Sequence, residues 1–338
     1  MLVLVKTTDK SMNHKKQQIL KWQQQGLIKN EDVDQALAIS DANNSPKQWL
    51  DFISKSLLWL SILSVAFGTI FFFAYNWNEI STFQKFALVQ GLMIVSVFFY
   101  TQTKNQSTTS TAILFLLALL IGSLFALFGQ TYQTGKDPWQ LFMLWALFVT
   151  PLALTSRSSS LWLLWLGLAN LTLMLLLDAR YGLFGMLFQN ERSMLFYAFL
   201  NTIAAASFEY FYRSKYKLIN NRIAAQSAIV VSMMAFTWVG LYSVFESVTR
   251  GFDVLFYITW MASIYYMYRL KTVDVLILAS WVVSGIIFIL GLIGRVIDND
   301  LDGGAFLLFG LLIIGLSTVG IKWLMTLLKE GNVEGEKL

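Results

Sequence analysis

Ten stretches of roughly 16 to 23 mostly apolar residues recur along this chain, and that recurrence limits the fold more than any other feature. A helix rises 1.5 Å per residue, so about 20 apolar residues cross the roughly 30 Å hydrocarbon core of a bilayer. The pattern predicts spans near Ser56–Tyr75, Phe83–Tyr100, Thr111–Phe128, Trp139–Leu154 and Ser159–Leu177. Five more are predicted near Met194–Tyr212, Ile223–Phe245, Phe252–Tyr268, Val273–Ile293 and Gly304–Leu324. The fourth and fifth runs are separate helices. A single helix over both would bury Arg157 mid-bilayer at a cost of about 3 kcal/mol. The run Gly182–Phe188 is too short to span and reads as an interfacial loop. The expected fold is an all-α polytopic membrane protein of about ten transmembrane helices, with both termini inside.

Charge sets the orientation. With the N-terminus in the cytoplasm, 19 of the 25 basic residues fall on that side and six fall outside. The cytosolic set includes Arg157, Arg213, Lys215, Lys217, Arg222, Arg269 and Lys271. The outer set is Lys85, Lys136, Arg180, Arg192, Arg250 and Arg295. The net charge of +5 therefore reports membrane orientation, and a nucleic-acid partner is not expected. Trp77, Tyr100, Trp139, Tyr212, Tyr268 and Trp323 sit where interfacial aromatic belts form.

The chain divides into residues 1–45, a cytoplasmic helical hairpin; 46–55, an interfacial helix; 56–325, the transmembrane domain; and 326–338, a cytoplasmic tail. In the hairpin a helix over Lys15–Gln25 is stopped by Gly26, and Asn30 is placed to cap a second helix from Glu31 to Ile39. Ile19, Trp22, Leu27, Ile28, Val33, Ala36 and Leu37 offer one apolar seam for docking. No secretory signal peptide is expected in this stretch, and the first span is expected to serve as the insertion signal.

Several chemistries are excluded by composition. The chain has no cysteine and one histidine, His14, in a polar stretch. That excludes thiolate metal sites and cysteine nucleophiles, and it leaves no histidine-rich metal site or serine–histidine triad to be expected within one chain. Phosphate-binding loops, dinucleotide glycine patterns and zinc-protease helices are likewise missing. The span centres carry no ionisable relay residue, and Glu209, Glu246 and Arg295 lie near span ends. Gln90, Asn170 and Asn201 are neutral polar groups inside spans, suited to joining helices. Ala118, Gly122 and Ala126 form a small-residue stripe that favours close packing of the third span.

Two outer loops stand out. One is Asn76-Trp77-Asn78-Glu79. The other is Gly129-Gln130-Thr131-Tyr132-Gln133-Thr134-Gly135-Lys136-Asp137-Pro138-Trp139, where Pro138 opens the next helix and the glycines permit tight backbone geometry. The candidate ligand or partner residues are Asn76, Trp77, Asn78, Gln130, Tyr132, Gln133, Lys136, Asp137 and Trp139. A third outer feature, Asp298-Asn299-Asp300-Leu301-Asp302-Gly303, matches the first half of a calcium loop through Asp298, Asp300 and Asp302. Position twelve of that loop is Phe309 and not a glutamate, which favours an acidic turn with Asp302 capping the last helix. Calcium is the one cofactor the pattern suggests.

The Asn76-Trp77-Asn78 triplet, the Gly129–Gly135 loop and Asp137-Pro138-Trp139-Gln140-Leu141-Phe142 resemble an uncharacterised prokaryotic membrane-protein family, DUF2157. Trp22, Gly26-Leu27-Ile28 and the Ser159–Leu177 span extend the resemblance to residues 20–177. It implies a multi-pass protein of the bacterial cytoplasmic (inner) membrane working beside a second membrane protein, with no known activity or catalytic residues. Asn78 stands where the family pattern leads one to expect aspartate, and Lys136 where a small residue is expected; neither departure favours a cation site.

These observations lead to the expectation of a non-enzymatic accessory or regulatory protein whose partners are membrane lipid and another membrane or envelope protein. The alternative is a transporter or exporter of a neutral or lipophilic solute, with a cavity bordered by Gln90, Asn170 or Asn201. An enzyme acting on a lipid-linked substrate is a third option, and it would draw Glu79, Asp137, Asp178 and Arg180 around one cleft.

Overall fold

A computed structural model describes residues 18–19, 21–33, 35–36, 46–75, 79–132, 137–181, 191–215, 217–245, 251–297 and 303–335. Ten long helices occupy the ten predicted positions among these residues. They are α1 (Pro46–Tyr75), α2 (Thr82–Thr101), α3 (Thr108–Tyr132), α4 (Pro138–Ser156) and α5 (Ser159–Tyr181), followed by α6 (Glu191–Arg213), α7 (Ile223–Phe245), α8 (Gly251–Tyr265), α9 (Val275–Ile297) and α10 (Gly303–Gly335). Eight of them are long and apolar enough to cross a membrane. The two that fall short are α6 and α8. The first carries Glu191, Arg192, Glu209 and Arg213, and the second runs for only 15 residues before a π-helical segment, Tyr266–Lys271, continues it. The protein is thus an all-α, multi-pass membrane protein.

Local chemistry fixes several boundaries. Ser81 and Gln84 form a reciprocal capping box at the start of α2. Pro138 occupies the first turn of α4, where its missing N–H costs nothing, with Asp137 as the preceding cap residue. In the N-terminal stretch Gly26 adopts φ +72°; its N–H donates to Gln23 O while the Leu27 N–H donates to Trp22 O. That pair of bonds is a Schellman stop, and only glycine enters it without strain. Asn30 begins a single 3-10 turn, Asn30–Asp32, and does not cap it from outside.

Two elements extend beyond the expected limits. Pro46–Tyr75 is one unbroken helix, about 45 Å long at 1.5 Å per residue, so the stretch read as an interfacial lead-in forms its first turns. Asp51 and Lys55 pair across one turn there. Helix α3 runs through Gly129 to Tyr132, placing Gln130 and Tyr132 in its last turn and not in a loop. Gly129 serves packing instead of turning: a Cβ there would meet Leu141 Cδ1 of α4 at 3.0 Å.

The chain forms two compact units, Met1–Leu124 and Phe125–Leu338. In the first, Ile19 and Val33 are buried against Ile28 and Ala36, a miniature core that leaves Trp22 and Leu27 exposed at 45% and 70%. The predicted seam is therefore split. Lys85, assigned by sequence to the outer loop, is buried near the start of α2.

The second unit is organised around α7, which packs on α5, α6, α8 and α9, while α4 pairs with α5 and α10 with α9. Small residues explain the central place of α7. Ala224, Ala225, Ala228 and Ser232 are buried, and Gly240 lets Tyr257 of α8 and Phe288 of α9 approach. Phe236 stacks on Trp260 at 5.1 Å, and Tyr257 lies 4.5 Å from Phe288. Unlike these, α10 is almost wholly exposed along its apolar length, as suits contact with lipid.

Candidate functional site

Within a bilayer a polar group must find a partner inside the protein, so the pairings of the second unit show which groups remain for other work. Asn170 of α5 and Asn201 of α6 exchange amide hydrogen bonds of 3.0 and 2.7 Å, and each also donates to a carbonyl of its own helix. Thr202 of α6 meets Ser232 of α7 at 2.8 Å, and Ser232 donates to Ala198 O. Thr237 of α7, Ser284 of α9 and the Tyr257 hydroxyl of α8 form a third junction with separations of 2.6 and 3.1 Å. These are helix-to-helix junctions made of neutral groups.

Four ionisable groups gather at one end of the unit. Glu209, in the last turns of α6, is buried and accepts a hydrogen bond from Arg213 Nη2 at 2.8 Å. Arg222, just before α7, approaches the same carboxylate through Nε at 3.3 Å and Nη2 at 3.0 Å, and its Nη1 lies 3.0 Å from Asp274 Oδ2. Asp274 is buried before α9, where its Oδ1 accepts weakly from the Ile277 N–H at 3.4 Å and its Oδ2 accepts from Gln226 Nε2 at 2.7 Å. The guanidinium also lies 5.7 Å from the centre of the buried Tyr268 ring. Burial alone would push the Arg222 pKa down, but the facing Glu209 and Asp274 carboxylates hold it above its ordinary value. One cation therefore ties α6, α7, the π-helical segment and α9 together.

Backbone contacts gather the neighbouring turns at the same end. Asn220 N–H donates to Arg157 O, the αL residue that ends α4, and the Ser159 hydroxyl donates to Asn221. The Asp274 N–H bonds to Tyr268 O. Arg157, Arg213, Lys215, Lys217, Arg222, Arg269 and Lys271 thus belong to one set of adjoining turns and helix ends. Tyr268, expected in an interfacial belt, is instead buried beneath Arg222; Trp323 does stack on Tyr265 at 6.4 Å. Sequence reading placed Glu209 at an interface. Its second partner, Arg222, is 13 residues away, and nothing local announces the pairing.

Of the residues first singled out, Gln130 and Tyr132 are exposed, and Tyr132 packs on Phe128 at 4.8 Å. Trp139 Nε1 donates to the exposed Asp137 carboxylate at 3.3 Å. Asn76, Trp77, Asn78, Gln133, Lys136, Asp298, Asp300 and Asp302 lie outside the described residues, as does Gly182–Phe188. No group of three or more potential metal ligands occurs among the described residues. Asp137, Asp178 and Arg180 are all exposed, and no ion pair joins them among the described residues.

Residues 20–162 match the family model described as "Predicted membrane protein (DUF2157)", which includes the stretches Asn76–Asn78 and Gly129–Phe142. The match covers α1 to α4 and stops before the charge network. No curated protein and no solved structure matches the chain.

Proposed function

We propose that this protein is a non-enzymatic accessory or regulatory partner of another envelope protein, seated in a bacterial cytoplasmic membrane with its basic end and N-terminal hairpin in the cytosol. One observation carries the reading: Glu209, Asp274, Asn170 and Asn201 of the second unit all take partners within the protein, and among the described residues the buried neutral side-chain atoms left without a hydrogen bond are Trp162 Nε1, Ser193 Oγ and Trp260 Nε1. Glu209 and Asp274 share Arg222, and Asn170 and Asn201 bond to each other. Groups that relay ions or line a solute path would face open space. The surfaces available to a partner are Trp22 and Leu27 on the hairpin and Tyr132 with Trp139 on the α3–α4 connection.

Purification in mild detergent tests it. The full chain is expected to retain one envelope protein at fixed stoichiometry, and Tyr132→Ala with Trp139→Ala is expected to release it while the helical content stays unchanged. A chain that purifies alone, or a partner that both substitutions leave bound, contradicts the proposal.

The rival reading, a transporter of a lipophilic solute, draws on a cavity of ≈310 Å³ between α4, α5 and α6, lined by Thr150, Trp165, Ile203 and Ser207 among others. Gln90, Asn170 and Asn201 are not among its lining residues. Reconstituted protein that moves a lipophilic dye across liposomes, and loses that activity on Ile203→Trp, would favour transport.

A further inference from the structure

Helices α1, α2 and α3 of the first unit border a second, half-open cavity, of ≈430 Å³. Buried Ser96 and Leu120 form its floor, whereas Val65, Val95 and Phe99 are exposed rims. The Ser96 hydroxyl donates to Leu92 O of its own helix at 2.7 Å, so the floor presents little to a polar guest.

Length and polarity together identify the guest. The lining runs from Thr103, just past the end of α2, along that helix to Leu92 and down α3 from Thr109 to Leu120, which on α3 is about 16 Å at 1.5 Å per residue. That is about half the roughly 30 Å hydrocarbon core, the depth of one leaflet. Gln102, Thr103 and Thr109 lie at the α2–α3 turn end of the lining, but the surface the groove presents is apolar along its whole length, so a charged group would sit at its mouth and not inside it. Exposed Lys104 follows Thr103, and residues 101–110 contain no acidic side chain, so the mouth carries net positive charge.

We propose that this groove seats one acyl chain of an anionic membrane phospholipid, with the headgroup at Gln102, Thr103 and Lys104. The apolar walls replace neighbouring lipid tails with a fixed surface, and Lys104 supplies the attraction to the headgroup phosphate. The proposal depends on the chain spanning a bilayer and is independent of any protein partner.

Native mass spectrometry of the full chain tests it, after reconstitution with phosphatidylglycerol or phosphatidylcholine and extraction in a detergent that strips loosely held lipid. Wild type is expected to retain one phosphatidylglycerol per chain. Leu116→Trp, which fills the groove wall, is expected to lower that occupancy at least tenfold. Val95→Trp, on an exposed rim that tolerates bulk, is expected to do the same without lowering the unfolding temperature, which separates loss of the site from loss of the fold. Lys104→Gln is expected to abolish the preference for phosphatidylglycerol over phosphatidylcholine. Wild type retaining no phospholipid, a retained free fatty acid, or retention unaffected by Val95→Trp would each overturn it. The co-purification of a protein partner would be unmoved by either result.

Discussion

Arg222 faces two buried carboxylates, one on α6 and one just before α9, and its planar guanidinium can present separate N–H groups to each. Substitution to Met would leave Glu209 and Asp274 buried without that cation. Breaking a buried pair costs about 3 to 5 kcal/mol, and the low end applies because the Arg222 side chain keeps 22% exposure. Chemical unfolding in detergent is therefore expected to show Arg222→Met destabilised by about 3 kcal/mol, with Arg222→Lys between it and wild type. A loss below about 1 kcal/mol, the worth of an ordinary surface pair, would contradict the assignment. Gly240 is a second test at this scale, since an added Cβ would lie 3.0 Å from Tyr257 Cγ and 3.2 Å from Phe288 Cε2. Gly240→Val is expected to cost about 1 to 3 kcal/mol by the same assay, because neither ring can move without disturbing its neighbours. The sequence marked the cluster around Arg213 and Arg222 as basic, yet it could not show that Arg222 serves Asp274, 52 positions further on. Such pairing arises from tertiary packing and leaves no local periodic trace.

Among elements, the pairing of α5 with α6 is the clearest case of polar groups joining helices. A double-mutant cycle with Asn170→Leu and Asn201→Leu is expected to give a favourable coupling of about 0.6 to 1.7 kcal/mol, the range typical of interhelical hydrogen bonds in membranes. Zero coupling would mean that the two amides find equivalent partners elsewhere. Helix positions were legible because twenty-residue apolar runs have a physical length to match: all ten helices appear where the pattern put them, but only eight are long and apolar enough to cross a membrane, α6 and α8 falling short. Helix ends were less so. Gly129 resembles a turn residue in sequence, but its constraint comes from Leu141 on the next helix, so α3 continues to Tyr132. Likewise Trp49, Leu50, Phe52 and Ile53 suggested an interfacial helix leading into the membrane, and the continuous α1 carries all four as exposed side chains.

On the scale of the whole molecule, the account depends on lipid solvating the apolar faces of these helices, with the basic turns on the cytosolic side. The clustering of Arg157, Arg213, Lys215, Lys217, Arg222, Arg269 and Lys271 was anticipated by counting charges between spans, since parity alone sends those loops to one side. The charge network inside that end was not anticipated, because hydropathy treats Glu209 as a blemish in a span and takes no account of its partners. The absence of native cysteine makes the direct test simple. Single thiols at Asn220→Cys, in the basic turn, and Thr134→Cys, on the connection after α3, are labelled with a membrane-impermeant reagent in intact spheroplasts and in inside-out vesicles. The account predicts that Thr134→Cys reacts only in spheroplasts and Asn220→Cys only in inside-out vesicles; the reverse pattern, or labelling of both positions from one side, would contradict it.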